Sequence, residues 1–256
     1  MSLVNLAGLA VLFGAATIAG VINSVAGGGT LLSFPSLLAF RVPSIPANAT
    51  NTAALWPGTL SSAVAYSRDT ELYRDLLLPL VVPSVIGGFL GAFALVVTPP
   101  ELFDRIVPFL VLFATLLFAF RDHVNRLFNM GGDENRVTAL GRIWGFIFQL
   151  FVAMYGGYFG AGIGILMLGS LSVMGLSDIH RMNGLKTILA TFINVISFVF
   201  FALKGLVVWK LAILMAIGAI IGGYVGARTA KRVDPRYIRT FVIAVGLTVS
   251  VWLFFK

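Results

Sequence analysis

The chain has 256 residues, of which 59% are hydrophobic and only 11% charged, with a mean hydropathy of +0.98. A soluble domain carries about 25% charged residues, so a water-soluble globule, a disordered chain and a nucleic-acid-binding module are excluded. The formal charge of +8 has to be placed relative to a bilayer before it says anything about partners, and the absence of Cys removes disulfides and thiolate metal sites.

Residues 1–40 carry no charged side chain, nor do 42–67, 76–100 or 143–177. Ten apolar segments result, at about 3–24, 30–40, 47–66, 76–97, 102–120, 140–160, 163–174, 182–203, 207–227 and 237–255. The leading Met1-Ser2-Leu3-Val4-Asn5 has no basic n-region of a cleaved signal peptide, so the first segment is expected to stay as a membrane helix. The second and seventh segments are about half the roughly 20 residues a helical span needs. Each follows a glycine-rich stretch, Ala26-Gly27-Gly28-Gly29 and Gly160-Ala161-Gly162-Ile163-Gly164. Pro35, Pro43 and Pro46 are expected to break any continuous helix through residues 30–50. Residues 121–139 are the most polar stretch and read as a linker.

The two sides of that linker repeat. Ile86-Gly87-Gly88-Phe89-Leu90-Gly91-Ala92 recurs as Ile221-Gly222-Gly223-Tyr224-Val225-Gly226-Ala227, an offset of 135 that also aligns Asn48 with Asn183, Asn51 with Lys186, Tyr66 with Phe201 and Pro100 with Pro235. Gly28 aligns with Gly162 at 134. The expected fold is all-α and polytopic, with a first repeat at 1–120, a linker at 121–139 and a second repeat at 140–256, one short broken helix in each. If every segment changes sides, Arg41, Arg105, Lys204, Lys210 and Lys256 fall on one side and the other thirteen bases on the opposite one. Re-entrant short segments would divide the bases equally, so the positive-inside rule favours ten crossings. Five crossings per repeat is odd, which inverts the two repeats and puts both termini away from the cytoplasm.

All ten acidic residues fall in loops or at segment edges. Cation carriers usually hold carboxylates within the membrane, so an anion or a polar neutral molecule is the better cargo. Gly27, Gly28, Gly29 and Thr30, with Gly160, Gly162 and Gly164, could start half-helices whose N–H groups face an anion. The competing reading is close helix packing or a plain kink. Asn48 and Asn51, matched by Asn183 and Lys186, lie three residues apart on one helical face and could donate to an oxyanion; capping and snorkelling of Lys186 to the interface is the alternative. Asn23, Ser24, Thr50 and Tyr155 are weaker lining candidates, more simply read as interhelical hydrogen bonds. His123 and His180 have no partner at metal-ligand spacing, so no metal site is expected. No phosphate-binding loop of the G-x-x-x-x-G-K-[ST] form occurs.

At these residues the chain resembles the TauE/SafE family of sulfite and organosulfonate exporters. The resemblance rests on Gly27-Gly28-Gly29-Thr30 followed by Pro35-Ser36-Leu37, on Ala47-Asn48-Ala49-Thr50-Asn51, and on the two Ile-Gly-Gly-x-x-Gly-Ala stretches. The second half departs from it: Gly169 stands where Pro35 would be echoed, and Leu185-Lys186 replaces the Thr-Asn pair. The resemblance implies a prokaryotic plasma-membrane transporter, not an enzyme, that exports a small sulfur-containing anion without a cofactor. The partners it implies are the anion and the lipid bilayer, with no nucleic acid, and a homodimer is compatible with it. An anion channel and a non-transporting scaffold are the other classes.

Overall fold

The structure is a computed structural model that describes residues 6–25, 27–66, 74–120, 123, 139–174, 176, 179–229 and 235–255. These form ten helices and no strand: α1 (Leu6–Val25), α2 (Thr30–Ala39), α3 (Ser44–Tyr66), α4 (Arg74–Val97), α5 (Pro100–Ala119), α6 (Ala139–Tyr158), α7 (Ile163–Val173), α8 (Ile179–Leu203), α9 (Trp209–Thr229) and α10 (Pro235–Phe254). Apart from His123 and Ala139, the expected linker lies outside the described residues, as do Lys231 and Arg232, two of the thirteen bases expected on one side.

Five helices (α1, α4, α5, α8 and α9) are long and apolar enough to cross a bilayer. Phe109, Phe151, Trp144 and Ile213 stand more than half exposed on the outside of the bundle, where lipid rather than water would cover them. At 23 residues α3 is also long enough, about 34 Å at 1.5 Å per residue. Its mean hydropathy is lowered by Asn48, Thr50, Asn51, Thr59 and Ser62, all of which are buried.

The expectation for the prolines is corrected in part. Pro35 sits inside α2, and Pro46 occupies the first turn of α3, where a missing N–H costs nothing. The break falls at 40–43, which includes the expected breaker Pro43, with Arg41 in the left-handed region at φ 59°.

Packing follows an exchange of the two halves. The α1–α9 contact is mirrored by α6–α4, and α3–α9 by α8–α4. Within each half, α1, α2 and α3 touch one another as α6, α7 and α8 do, while α3–α8 and α5–α10 map onto themselves. The largest contacts use glycine to bring backbones together. Gly218, Gly222 and Gly226 of α9 rest on the backbone of Phe13, Thr17 and Val21 of α1, so these two helices run parallel. Gly87 and Gly91 rest in the same way on Leu150 and Met154, making α4 and α6 parallel. On α3, Gly58 lies against Ala219 and the Ser62 hydroxyl donates to the Gly223 carbonyl at 3.0 Å, again in parallel with α9. Helices α5 and α10 are antiparallel, pairing Phe109 with Phe254 and Thr115 with Gly246.

The turns after α2, α4 and α8 gather at one end of the bundle, where Pro43, Ser44, Thr98, Asp104 and Leu206 line a common cleft. The Thr50 hydroxyl fastens the last of these turns by accepting the Val208 N–H at 2.9 Å.

A Cβ on Gly222 would run into the Thr17 carbonyl, whereas one on Gly14 would meet nothing within 4 Å. Gly222→Ile is therefore expected to lower stability by about 1–3 kcal/mol through overpacking, with Gly14→Ala within about 0.5 kcal/mol of the parent. Thermal unfolding in detergent with a monodispersity readout checks this; equal losses from both variants would contradict the packing described.

Candidate functional site

Two backbone interruptions build the site. After α1, Gly27 turns to φ 81° and its N–H reaches back to the Ile22 carbonyl at 3.0 Å; after α6, Gly160 turns to φ 79° and reaches the Tyr155 carbonyl at 3.2 Å. Only glycine adopts this left-handed closure at little cost. These two glycines are 133 residues apart, as are the helix starts Thr30 and Ile163. The sequence alignment of Gly28 with Gly162 at 134 is thus out by one, and the second half holds two extra residues before Asn183. The interruptions also meet each other: a Cβ on Gly27 would lie 2.8 Å from the Gly164 Cα.

Beside this meeting point is a narrow polar cavity of about 40 Å³, room for about three water molecules at roughly 10–15 Å³ each. Its walls come from both halves. Helix α3 contributes Asn51, Thr52, Leu55, Thr59 and Ser62, and α8 contributes Lys186, Thr187, Ala190 and Asn194. Asn23 closes one side, and the first residues of the short helices, Thr30 on α2 with Ile163 and Gly164 on α7, reach the cavity wall. Under the exchange of halves Asn51 corresponds to Lys186, Thr52 to Thr187, Leu55 to Ala190 and Thr59 to Asn194. The cavity therefore sits where the two repeats face each other.

Lys186 is 2% exposed, so its ammonium does not snorkel to the surface. It donates to Asn183 Oδ1, one helical turn back, at 2.9 Å. Its counterpart Asn51 is likewise held: the Ser33 hydroxyl donates to its Oδ1, and its Nδ2 donates to Thr30 Oγ1 at 3.3 Å. The Asn51 amide thereby fastens the first turn of α2 to α3. Thr52, Thr59 and Thr187 rest their hydroxyls on carbonyls of their own helices at 2.7–3.0 Å, from which they can rotate toward an acceptor. The polar inventory of the lining is one ammonium, three amides, five hydroxyls and no carboxylate among the described residues.

Of the residues singled out in the sequence, Gly27, Thr30, Asn51, Gly160, Gly164 and Lys186 line the cavity. The others do not. Gly28 is packed against the Phe118 ring and Gly29 against the Ala19 carbonyl, with its N–H donating to Asn23 Oδ1 at 2.7 Å. Gly162 caps α7 in a left-handed turn at φ 77° beside Ala114. Asn48 donates to the Tyr158 carbonyl at 2.9 Å, and Asn183 serves as the partner of Lys186. Among the weaker candidates only Asn23 reaches the cavity; Ser24, Thr50 and Tyr155 make hydrogen bonds to backbone. Sequence reasoning missed Thr52, Thr59, Ser62, Thr187 and Asn194. Their signal was present: Thr59 and Ser62 continue the three-and-four spacing from Asn51, Asn194 continues it from Lys186, Thr52 and Thr187 lie four residues after Asn48 and Asn183, and most recur at the repeat offset.

The family model described as sulfite exporter TauE/SafE matches residues 12–253. The chain is 30% identical over 250 residues to the probable membrane transporter protein ORF9 of a Sinorhizobium species, covering 96% of this chain and 92% of that one. It is 29% identical over 238 residues to a probable membrane transporter protein of Haemophilus influenzae, covering 92% and 90%. To the probable membrane transporter protein YfcA of Escherichia coli K12 it is 27% identical over 252 residues, covering 96% and 90%. No solved structure matches. A family model spanning nearly the whole chain, and relatives aligned from end to end, place this integral membrane protein in the sulfite exporter TauE/SafE family.

Proposed function

We propose that the protein is a secondary transporter that exports a small anion, a sulfite or organosulfonate, by alternating access around the central cavity. The observation that carries this reading is the buried Lys186 ammonium in the cavity wall, beside the first turns of two short helices. An ionisable side chain kept within a membrane bundle is costly and marks a substrate or ion pathway. The helix starts add positive dipole ends, and the amides of Asn23, Asn51 and Asn194 add donors. The small volume suits a compact oxyanion head group.

We read the fold as two inverted five-helix repeats, 1–120 and 140–256. The parallel register of α1 and α3 with α9, and of α6 with α4, supports this reading, because consecutive helices of one half then alternate direction against their counterparts. Broken helices in corresponding places of inverted repeats are the usual setting of a midplane transport site, with one bundle rocking against the other. Both termini would lie outside the cytoplasm of a prokaryotic plasma membrane. An inside-negative potential drives an anion outward by about 2.3 kcal/mol per charge per 100 mV, so export needs no coupling ion and no nucleotide.

Replacing Lys186 with Met removes a charge-assisted hydrogen bond of about 1.5–3 kcal/mol, which corresponds to about 10–150-fold weaker apparent affinity. Uptake and counterflow of radiolabelled sulfite in proteoliposomes measure it. Melting temperature and monodispersity of the variant are read alongside, so that weaker binding is separated from unfolding. Unchanged affinity and flux would retire the site, and flux that never saturates would point to a channel instead.

The Cys-free chain makes orientation directly readable. Ser44→Cys should react with an impermeant maleimide in intact cells and Arg126→Cys only after permeabilisation. The reverse pattern would invert the proposed orientation.

A further inference from the structure

Between the central cavity and the cleft at the bundle end lies a short plug that neither surface absorbs. Along α3, Ser44 lines the end cleft and Asn51 the central cavity. The seven residue steps from Ser44 to Asn51 amount to about 10 Å of helix. The end cleft, about 410 Å³, is ten times the volume of the central cavity, so the barrier rather than the cleft limits passage at this end.

The barrier is aromatic. Phe159, in the interruption after α6, forms part of the cavity wall and packs edge-on against the fully buried Phe34 of α2, ring centroids 5.3 Å apart. Its neighbour Tyr158 packs against Phe103 of α5 at 5.8 Å and places its hydroxyl 3.3 Å from Thr98 Oγ1, a residue of the end cleft. Asn48 ties this plug to α3 by donating from Nδ2 to the Tyr158 carbonyl at 2.9 Å. Its own Oδ1 is buried with no hydrogen-bond partner among the described residues. Turning the amide over would set two carbonyl oxygens against each other, so the orphan acceptor cannot be removed by a flip. The unpaired acceptor carries a desolvation cost in the closed arrangement, and it gains a partner as soon as the segment lifts and water or ligand enters. The repeat counterparts of Tyr158 and Phe159 are Val25 and Ala26 at the 133 offset, so the aromatic pair belongs to this end alone.

We propose that Phe159 on Phe34, latched through Tyr158 by the Asn48 amide, is the gate between the central cavity and the cleft at the Ser44 end. It rests on reading the central cavity as the transport site. Asn48 acts as a positioning residue that holds the interrupted segment closed and need not touch cargo.

Accessibility, not flux, tests the gate. A single cysteine at Thr52, in the cavity, is treated in proteoliposomes with an impermeant methanethiosulfonate from the side on which Ser44→Cys reacts. Modification should be at least about 10-fold slower than at Ser44→Cys. Adding Phe159→Ala should remove most of that difference, Phe159→Leu should restore slow labelling by restoring bulk, and Asn48→Ala should accelerate it with both rings intact. Phe34→Ala opens the same contact from the other ring and serves if Phe159→Ala is not monodisperse. Fast labelling with the rings intact, or slow labelling in well-folded Phe159→Ala and Phe34→Ala, would overturn the gate. Either result leaves the Lys186 flux measurement standing, so failure here is distinct from failure of the transport reading.

Discussion

A polypeptide that stops being helical inside a membrane must have its N–H and C=O groups satisfied by protein, because lipid supplies no partners. In this chain that constraint falls on residues 27–29 and 160–162, and the architecture around them follows from it. Each interruption is closed by a glycine in a left-handed turn whose N–H returns to the helix just ended. The Gly29 N–H is taken by Asn23 and the Tyr158 carbonyl by Asn48. The interruptions lie back to back at Gly27 and Gly164, shielded from lipid by α3, α8 and the short helices themselves. The glycine contacts of α1 with α9 and of α4 with α6 flank them, so close backbone packing holds the helices that frame the breaks.

Symmetry supplies the frame, and departures from it supply the chemistry. The exchange of halves maps helix contacts and cavity walls onto one another, yet at one matched position in the cavity wall one half presents the neutral Asn51 and the other the cationic Lys186. Two lysines would repel across a small cavity, and two asparagines would leave it without a formal charge. One of each gives a single positive charge with amide donors opposite. The amide of Asn51 is also structural, since it holds Thr30 and Ser33 of α2, whereas Lys186 is anchored within its own helix by Asn183. The aromatic pair after α6 is a second departure, replaced by Val25 and Ala26 in the other half, so that the two halves are not equivalent there.

Much of the fold was legible in the sequence. Charge-free stretches mark membrane segments because an unpaired charge in hydrocarbon is costly, and the described helices end within about three residues of the expected limits. Glycine runs before half-length apolar segments mark the interruptions, since few other residues close a helix in that way. Proline was the weaker guide. Pro35 sits within α2 despite its missing donor, because tertiary packing outweighs the local preference.

Composition, segment lengths and the internal repeat were determined by the sequence alone, because they depend on burial in lipid and on local backbone preference, which act residue by residue. Which polar residues face the cavity was decided by the tertiary structure. Asn48 and Asn51 share a helix face and a motif, yet one clamps the Tyr158 carbonyl and the other reaches the cavity. Gly28 and Gly29 belong to the same run as Gly27, yet they pack against Phe118 and Ala19. The difference lies in what the opposite half places against each position, and contacts between residues more than a hundred apart exist only once both repeats have folded together.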